Sequence, residues 1–294
     1  MKSVLTLLRL LRVKQWTKNV VVFAAFVFAL GDRNQSLDAW ELWKVCLAAV
    51  AFSLVSSAVY IFNDWRDAPQ DRLHPIKCRR PLAAGAIKPG VAFLLAGGLL
   101  AAGLGGAWRL GSHLLAVLGA YLALQVAYTL KLKHIPLVDV MVISLGFVLR
   151  ALAGAVVIQV VISPWLLLCA MLLALFLGLC KRRHEAVNLA GQGTREALDG
   201  YDERLLDLLI AMIGAAALVC YSIYTLWPET VAKFGTPWLG ATIPFVVFGL
   251  FRYMDLVYRQ DKGDRPEHIL LTDGPLMAVV ALYGASVLGI LLLR

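Results

Sequence analysis

Charged residues are scarce in this sequence: only 16% of its 294 residues are Asp, Glu, Lys or Arg, while 60% are hydrophobic. Soluble domains usually contain about 25% charged and about 45–50% apolar residues, so the shortage of charge excludes an ordinary soluble protein. The apolar residues are grouped in runs of about 17–22 residues, which is the length of a bilayer-spanning helix. The sequence therefore indicates an integral membrane protein.

Several patterns that mark common chemistries are also missing. The five cysteines and five histidines are scattered without metal-like spacing, which disfavours a zinc site. The odd number of cysteines disfavours a disulfide framework. The sequence contains no P-loop, no GxSxG nucleophile motif and no dinucleotide-binding glycine pattern. These absences leave the few charged segments as the candidates for function.

Nine apolar spans, separated by glycine and proline residues, predict an all-α fold. We expect a polytopic membrane helical bundle of about nine transmembrane helices that forms a single domain, residues 1–294. An amphipathic helix on the membrane surface is expected before the first span, over residues 1–18. The predicted spans are residues 19–31, 45–63, 91–108, 113–130, 138–158, 164–181, 206–226, 237–254 and 275–293.

Basic residues are distributed unequally between the two ends of these spans. With the N-terminus placed in the cytoplasm, 22 of the 28 Lys and Arg residues fall in inner segments and 5 in outer segments. This asymmetry predicts a multi-pass protein of the cell membrane with a cytoplasmic N-terminus. The active site is also expected on the cytoplasmic face, because the three long inner connections carry 14 of the 19 acidic residues. Topology accounts for the net charge of +9, so no nucleic-acid partner is inferred.

The end of the second span carries an NDxxDxxxD motif, formed by Asn63, Asp64, Asp67 and Asp71. If the helix continues past Asn63, the spacing of these residues puts their oxygen atoms on one helix face. Carboxylate and amide oxygens suit Mg²⁺, which typically takes one or two carboxylates and completes its shell with substrate phosphates. A solvated helix end with intrahelical ion pairs is the alternative. Pro69 makes Asp71 the least certain member of the set.

Two basic segments accompany the acidic motif. Lys77, Arg79 and Arg80 can bind phosphate oxygens, or they can anchor the chain at the inner membrane surface. Residues 181–207 could fold over the first loop and supply cations, a further metal ligand and a phenol, or they could form a charge belt with an N-cap at Asp202. The candidate residues of this second segment are Lys181, Arg182, Glu185, Arg195 and Tyr201.

A few polar residues elsewhere complete the candidates. Arg150 lies within the fifth span, where a charged side chain is costly. It is expected to pair inside the bundle, with an acidic partner as one option, or to face a polar cavity. Asp139, near the inner end of the same helix, is expected to cap it. The other candidates are Lys14, Lys18 and Asn19 before the first span, which could also be an interfacial anchor, and Tyr128 and Lys131 at the end of the fourth.

The NDxxDxxxD motif after the second of nine spans resembles that of the UbiA-type intramembrane prenyltransferase superfamily. The resemblance covers the whole chain in span count and loop placement. It implies a nine-helix bundle with a cytoplasm-facing cavity that is open sideways to lipid, and a motif that binds Mg²⁺ and a diphosphate. The chain is similar in finer detail to the decaprenyl-phosphate phosphoribosyltransferase branch, through RxxQWxKN at residues 12–19, RRPLAAG at residues 79–85, and a KRxxE…Y pattern from Lys181 to Tyr201.

Enzymes of that branch move 5-phosphoribose from phosphoribosyl diphosphate (PRPP) to a polyprenyl phosphate and release diphosphate, in the synthesis of arabinose donors for cell walls. The resemblance therefore implies PRPP and a polyprenyl phosphate lipid as substrates and Mg²⁺ as cofactor. The expected catalytic residues are Asp64, Asp67, Lys181 and Tyr201; the expected metal ligands are Asn63, Asp64, Asp67 and Asp71; the expected substrate-binding residues are Lys14, Lys18, Asn19, Lys77, Arg79, Arg80, Tyr128, Lys131, Arg182, Glu185 and Arg195.

One departure from the superfamily pattern helps to distinguish PRPP from a prenyl diphosphate as the donor substrate. Ordinary prenyltransferases carry a second aspartate-rich motif, DxxxD, on the later loop, whereas the nearest fits here are Asp199…Glu203 and Glu203…Asp207. The basic residues of that loop favour PRPP, because a PRPP enzyme also holds a 5-phosphate and a lipid phosphate. A prenyltransferase with a prenyl diphosphate donor and an aromatic or other acceptor is the alternative.

A transporter is a third possibility. It is disfavoured because the acidic clusters are predicted at one membrane face rather than at the midplane. The oligomeric state stays open, a homo-oligomer included.

Overall fold

The computed structural model describes residues 2–32, 35, 37–73, 76–188, 201–260, 263 and 266–293. Over these residues the chain forms helices and no strands, and nine of the helices are long and apolar enough to cross a membrane. This confirms the predicted all-α, polytopic membrane class.

The described helices follow the predicted spans, with shifts at several ends. The 3-10 helices are Val13–Phe23, Lys77–Arg79, Leu132–His134 and Trp238–Thr242. The α-helices are α1 (Lys2–Leu10), α2 (Ala24–Leu30), α3 (Ala39–Asp71), α4 (Pro89–Leu110), α5 (Ser112–Leu130), α6 (Val138–Val157), α7 (Pro164–Asn188), α8 (Glu203–Leu226), α9 (Pro228–Phe234), α10 (Ile243–Arg259), α11 (Pro266–Thr272) and α12 (Gly274–Leu292).

The first span differs from the expected single helix. Its first half is the 3-10 helix Val13–Phe23, which we call the N-terminal 3-10 helix, and the surface helix expected over residues 1–18 is limited to α1. Arg12 separates the two with left-handed backbone angles, φ 50° and ψ 43°. Thr, Asn and Val residues, which are common in this segment, have low α-helix propensity. Side-chain hydrogen bonds from Trp16 to Ser57 and from Asn19 to Ser53 hold the segment on α3.

Helix α3 is longer than its apolar run. It extends for 33 residues and includes Pro69 in its last turn. The helix therefore continues through the whole acidic motif, which is the condition under which the motif's oxygen atoms share one face.

The described chain divides into two compact units. The first comprises Met1–Ala24, Ala39–Ile135 and Leu149–Val160. In this unit α3 packs closely on α4 at Gly103, where a Cβ atom would lie 2.8 Å from Val55 Cγ2 and 3.0 Å from the Ala51 carbonyl oxygen. Small residues allow such close approach of membrane helices. A buried cluster fills the space between α1, α3 and α4: Leu10, Ala58, Ile61, Leu82, Ala92 and Ala96.

The second unit comprises Ala25–Asp38, Pro136–Val148 and Val161–Arg294. Its core joins the start of α6 to α7, α8 and α10 through large apolar side chains, with Phe176 against the Tyr253 ring at a centroid distance of 5.7 Å. Gly214 on α8 lies against the Phe176 ring, where an added Cβ would be 3.3 Å from a ring carbon. This packing places the end of α7 beside the start of α6 and of α8.

Candidate functional site

The acidic motif forms a cluster at the end of α3 in the first unit. Asp64 is 2% exposed and Asp71 is 5% exposed, while Asn63 and Asp67 are half-buried. The Asn63 amide donates to Asp67 Oδ2 at 2.9 Å, and the Thr129 hydroxyl donates to Asn63 Oδ1 at 3.3 Å. The four residues that the sequence predicted as metal ligands thus lie on one face of one helix.

Cations from three other elements neutralise these carboxylates. Arg12 pairs with Asp64, its Nε lying 3.1 Å from Oδ2. Arg80 bridges two carboxylates, at 3.1 Å from Asp64 Oδ1 and 2.7 Å from Asp71 Oδ2. Lys133, in the 3-10 helix after α5, is 5% exposed and pairs with Asp67. Burial of so many charges is tolerable because each is paired.

The donor set of this cluster fits a divalent cation that arrives with phosphate groups. Among the described residues, no three acidic, histidine or cysteine side chains are gathered around one point as a ready metal site. Mg²⁺, however, commonly takes one or two carboxylates and leaves its remaining positions to substrate phosphates and water. Carboxylates on a single helix face, with arginine and lysine beside them, match that requirement.

Other predicted residues of the first unit lie on neighbouring elements. Lys14 is exposed and Lys18 half-buried on the N-terminal 3-10 helix, and Tyr128 is half-buried near the end of α5. Asn19 is buried, and its side chain bonds to Ser53 and Arg150 rather than to the acidic cluster. The rest lie in or next to short connections, Lys77 half-buried and both Arg79 and Lys131 exposed.

A second polar cluster lies in the second unit, around Asp139 in the first turn of α6. Asp139 is fully buried, and its Oδ2 lies 2.7 Å from Arg182 Nε. Arg182 also pairs with Glu185, and Lys181 Nζ lies 3.9 Å from Glu185 Oε1. Tyr201 donates to Asp139 Oδ1 at 2.6 Å and accepts from the Leu137 N–H at 2.6 Å. Four predicted residues of the second segment are thus joined, while Arg195 lies outside the described residues.

The environment of Tyr201 keeps its proton on the oxygen. Burial, together with the hydrogen bond to the Asp139 carboxylate, raises the pKa of the Tyr201 hydroxyl above its ordinary value. The group is therefore a hydrogen-bond donor at neutral pH. Asp202, the next residue, caps α8 by accepting from the Leu205 N–H at 3.2 Å, as the charge-belt interpretation proposed.

Sequence reasoning did not select several of the residues that the structure brings to these clusters. In the sequence Lys133 bears only on membrane orientation, and Thr129 has an ordinary polar side chain at a helix end. Arg12 belongs to the RxxQWxKN pattern but is not among the predicted site residues. Asp139 does more than cap a helix, because it is the buried partner of Arg182. For the charged residues Lys133, Arg12 and Asp139, a position close to the end of a predicted span was the sequence feature that could have marked them as site candidates.

Residues 20–272 match the model of the UbiA prenyltransferase family. The chain belongs to this family. The resemblance inferred from the NDxxDxxxD motif is thereby confirmed, and the chain is a membrane transferase of the UbiA type.

Curated relatives extend the match over nearly the whole chain. The decaprenyl-phosphate phosphoribosyltransferase of Mycobacterium tuberculosis is 36% identical over 285 residues, which are 94% of this chain and 92% of the relative. The protein of the same name from Corynebacterium glutamicum is 35% identical over 277 residues, which are 91% of this chain and 81% of the relative. These matches confirm the similarity to that branch of the UbiA family.

A solved UbiA structure shows the same fold. A UbiA homologue from Archaeoglobus fulgidus, bound to GPP and Mg²⁺, superposes with a TM-score of 0.74 at 18% identity and covers 97% of this chain and 99% of its own. At this identity the likeness shows the fold alone.

Proposed function

We propose that the protein transfers the 5-phosphoribosyl group from PRPP to a polyprenyl phosphate of the decaprenyl type, with release of diphosphate. The observation that carries the proposal is the match, over more than nine-tenths of the chain, to relatives named decaprenyl-phosphate phosphoribosyltransferase. The product would serve the synthesis of arabinose precursors for a cell wall or another glycan.

Asn63, Asp64, Asp67 and Asp71 are the residues proposed to hold Mg²⁺. The metal, when bound with the donor, would neutralise the charge that develops on the departing diphosphate. The structure of a UbiA homologue with Mg²⁺ and GPP supports a divalent metal in this fold.

Arg12, Arg80 and Lys133 are proposed to hold phosphate oxygens beside the metal. Each of these cations pairs with a carboxylate of the motif, so each is close to where the diphosphate would lie. Arginine can bind phosphate oxygens with two parallel hydrogen bonds, and lysine acts as a point charge. Lys77 and Arg79, on the connection that also carries Arg80, are proposed to extend this phosphate-binding set, with Lys14, Lys18, Tyr128 and Lys131 as further proposed substrate contacts. Asn19, which the sequence also predicted as a substrate contact, is buried and bonds to Ser53 and Arg150, so no direct contact is proposed for it.

In the second unit we propose that Lys181 binds a substrate phosphate and that Arg182, Glu185 and Tyr201 position it. Arg182 is only 3% exposed and is held between Asp139 and Glu185. Lys181 has a side chain that is 41% exposed, and its contact with Glu185 is long at 3.9 Å. Lys181 is thus the more exposed of these two cations, while the buried residues fix the end of α7. Arg195 stays a predicted phosphate ligand.

The transfer needs little acid–base help from the chain. The C1–O bond to diphosphate breaks, a C1–O bond to the lipid phosphate forms, and the electron pair of the broken bond leaves on diphosphate. The attacking lipid phosphate oxygen is already an anion at neutral pH. Orientation of the two substrates and stabilisation of charge by the surrounding cations should therefore supply most of the rate.

The protein is a multi-pass membrane protein, and we propose that both clusters face the cytoplasm in the cell membrane. The excess of Lys and Arg in inner segments supports this orientation. PRPP is a water-soluble donor, so a cytoplasmic site would meet it directly, while the apolar helix surfaces would accommodate the polyprenyl tail.

The proposal is tested by incubating purified protein in detergent with Mg²⁺, radiolabelled PRPP and polyprenyl phosphate. We expect label to move into the organic phase, and we expect Asp67→Asn to abolish the transfer. A parent protein that forms no labelled lipid would refute the proposed donor, and full activity in Asp67→Asn would refute the metal assignment.

A second candidate, prenyl transfer from a prenyl diphosphate to an aromatic or other acceptor, is favoured by one finding. Two structures of the UbiA homologue from Archaeoglobus fulgidus are bound to GPP or DMAPP with Mg²⁺. The same acidic motif would serve such a donor. Turnover of a prenyl diphosphate in place of PRPP by the purified protein would support this candidate.

A further inference from the structure

The N-terminal 3-10 helix lies along one face of α3 and is tied to it by side-chain hydrogen bonds. The Ser57 hydroxyl donates to the Leu11 carbonyl at 2.8 Å and accepts from Trp16 Nε1 at 3.0 Å. One turn earlier on α3, Ser53 accepts from Asn19 Nδ2 at 2.7 Å. Residues 53, 57 and 64 share one face of a helix because they are separated by four and seven positions. These hydrogen bonds are therefore made on the face of α3 that also carries Asp64 of the acidic cluster.

Arg12 follows directly after Leu11, the residue bonded to Ser57, and its side chain contacts the acidic cluster. Its backbone is left-handed, with φ 50°, a conformation that is unfavourable for a residue other than glycine. Its guanidinium lies 5.1 Å from the centre of the Tyr60 ring and pairs with the buried Asp64. Neighbouring contacts must hold Arg12 in this conformation, since its own backbone does not favour it.

Arg150 anchors the other end from α6. Its Nε donates to Asn19 Oδ1 at 2.8 Å and its Nη2 donates to the Tyr121 hydroxyl at 3.2 Å. The guanidinium carbon also lies 4.9 Å from the Phe52 ring centre and 5.0 Å from that of Tyr121. Arg150 is only 4% exposed. The guanidinium can only donate, so it turns the Asn19 carbonyl towards itself and leaves the Asn19 amide to Ser53.

Gly154 is independent evidence that the N-terminal 3-10 helix packs against this part of α6. Residues 150 and 154 are one turn apart on the same helix face. A Cβ atom at Gly154 would collide with the Val22 carbonyl oxygen, which is backbone of the N-terminal 3-10 helix. Two positions of α6 thus contact that helix, one through a buried charge and one through the lack of a side chain.

We propose that Arg150 is a positioning residue for the candidate site: through Asn19 it fixes the N-terminal 3-10 helix on α3 and so sets the Arg12 guanidinium on Asp64. A charged side chain inside a membrane span is costly and is retained for a purpose. Here the purpose is to orient one amide and the segment attached to it. The effect on the acidic cluster is indirect, because it passes from Arg150 to Asn19 and through the attached segment to Arg12.

Amide hydrogen exchange of the purified protein in detergent tests the anchoring step without any assay of activity. In Arg150→Met we expect the amides of residues 13–23 to exchange about tenfold faster or more, with peptides from α8 and α12 unchanged. Gly154→Ala should produce the same local change while the buried charge is kept. Arg109→Met, which removes an exposed arginine at the end of α4, is the control and should alter neither region. Unchanged exchange at residues 13–23, or faster exchange throughout the protein, would overturn the proposal.

A double-mutant cycle tests the positioning step, and this part rests on the proposed function. If Arg150 acts through Arg12, then Arg12→Met with Arg150→Met should lose no more kcat/KM for PRPP than Arg12→Met alone. Losses that multiply would contradict this coupling. A parent protein that does not use PRPP would refute the proposed function, while the exchange measurement would still decide the anchoring of the segment.

Discussion

At the scale of single residues, Lys133 is the side chain whose role the structure reveals most directly. It is 5% exposed and pairs with Asp67, in the motif proposed to hold the metal. Removing one partner of a buried pair leaves the other charge uncompensated, at a cost of about 3–5 kcal/mol. We therefore expect Lys133→Met to lower thermal stability in detergent and to lower kcat with PRPP by about a hundredfold.

The two effects of Lys133 can be separated. Asp67→Asn added to Lys133→Met removes the orphaned charge, so thermal stability should return in the double variant. Lys88→Met, at an exposed lysine just before α4, should behave as the parent. A Lys133→Met variant that melts lower but keeps the parent's kcat with PRPP, measured below its melting temperature, would show that Lys133 serves stability alone.

Tyr201 allows a prediction about pH. Its pKa is raised above the ordinary value of about 10 by burial and by the Asp139 carboxylate. Because the pKa is raised on folding, the stability that the hydroxyl contributes is fully present below about pH 10 and is lost only as pH rises through the folded value. Tyr201→Phe leaves the Asp139 oxygen and the Leu137 N–H without this partner, at a cost of about 1–3 kcal/mol.

The Tyr201→Phe deficit in melting temperature should therefore be constant from about pH 6 to pH 9. Tyr258→Phe, at a more exposed tyrosine that donates to Asp207 at 2.8 Å, is the control and should cost less. A deficit that disappears as pH rises within this window would mean that the Tyr201 hydroxyl titrates there.

At the scale of elements, the packing of α4 on α3 gives a matched comparison. A Cβ at Gly103 would crowd Val55 and the Ala51 carbonyl, whereas one at Gly105 on the same helix meets nothing within 4 Å. We expect Gly103→Ala to destabilise by about 1–3 kcal/mol through overpacking. Gly105→Ala should be neutral or stabilising, since alanine is the better helix former. Equal melting temperatures for the two variants would contradict this packing.

The elements also show what the sequence could predict and what it could not. The spacing of Asn63, Asp64 and Asp67 correctly predicted a shared face once the helix continued beyond the membrane run. The apolar pattern could not show that α3 reaches Asp71, because its last turns are held by Arg80 from a later segment and Arg12 from an earlier one. The 3-10 form of residues 13–23 was missed for the same reason: its hydrogen bonds to α3 are tertiary.

At the scale of the whole molecule, composition was sufficient for the class and span count, because apolar runs of membrane length are rare in soluble proteins. Contacts between residues far apart in the chain could not be predicted from the sequence. Arg150 was expected to find a partner inside the bundle, and it bonds there to the Asn19 amide and the Tyr121 phenol. Asp139 gave no sign of its pairing with Arg182, because residues 43 positions apart leave no periodic signal.

The proposed orientation is a prediction about the whole chain. Nine spans among the described residues, together with a cytoplasmic N-terminus, would put the end of the last helix on the outer side. A reporter active only outside the membrane should work when fused after the last helix and should fail when inserted near residue 85. Activity at both positions, or the reverse pattern, would contradict the charge-based orientation.

Competition between donors is the sharpest test of whether the protein uses PRPP. Purified protein with Mg²⁺ would receive PRPP, a prenyl diphosphate, polyprenyl phosphate and an aromatic acceptor together, and the lipid products would be separated by mass spectrometry. We expect phosphoribosylated polyprenyl phosphate as the product, with kcat/KM for PRPP far above that for the prenyl diphosphate. A prenylated acceptor without the phosphoribosylated lipid would contradict this expectation.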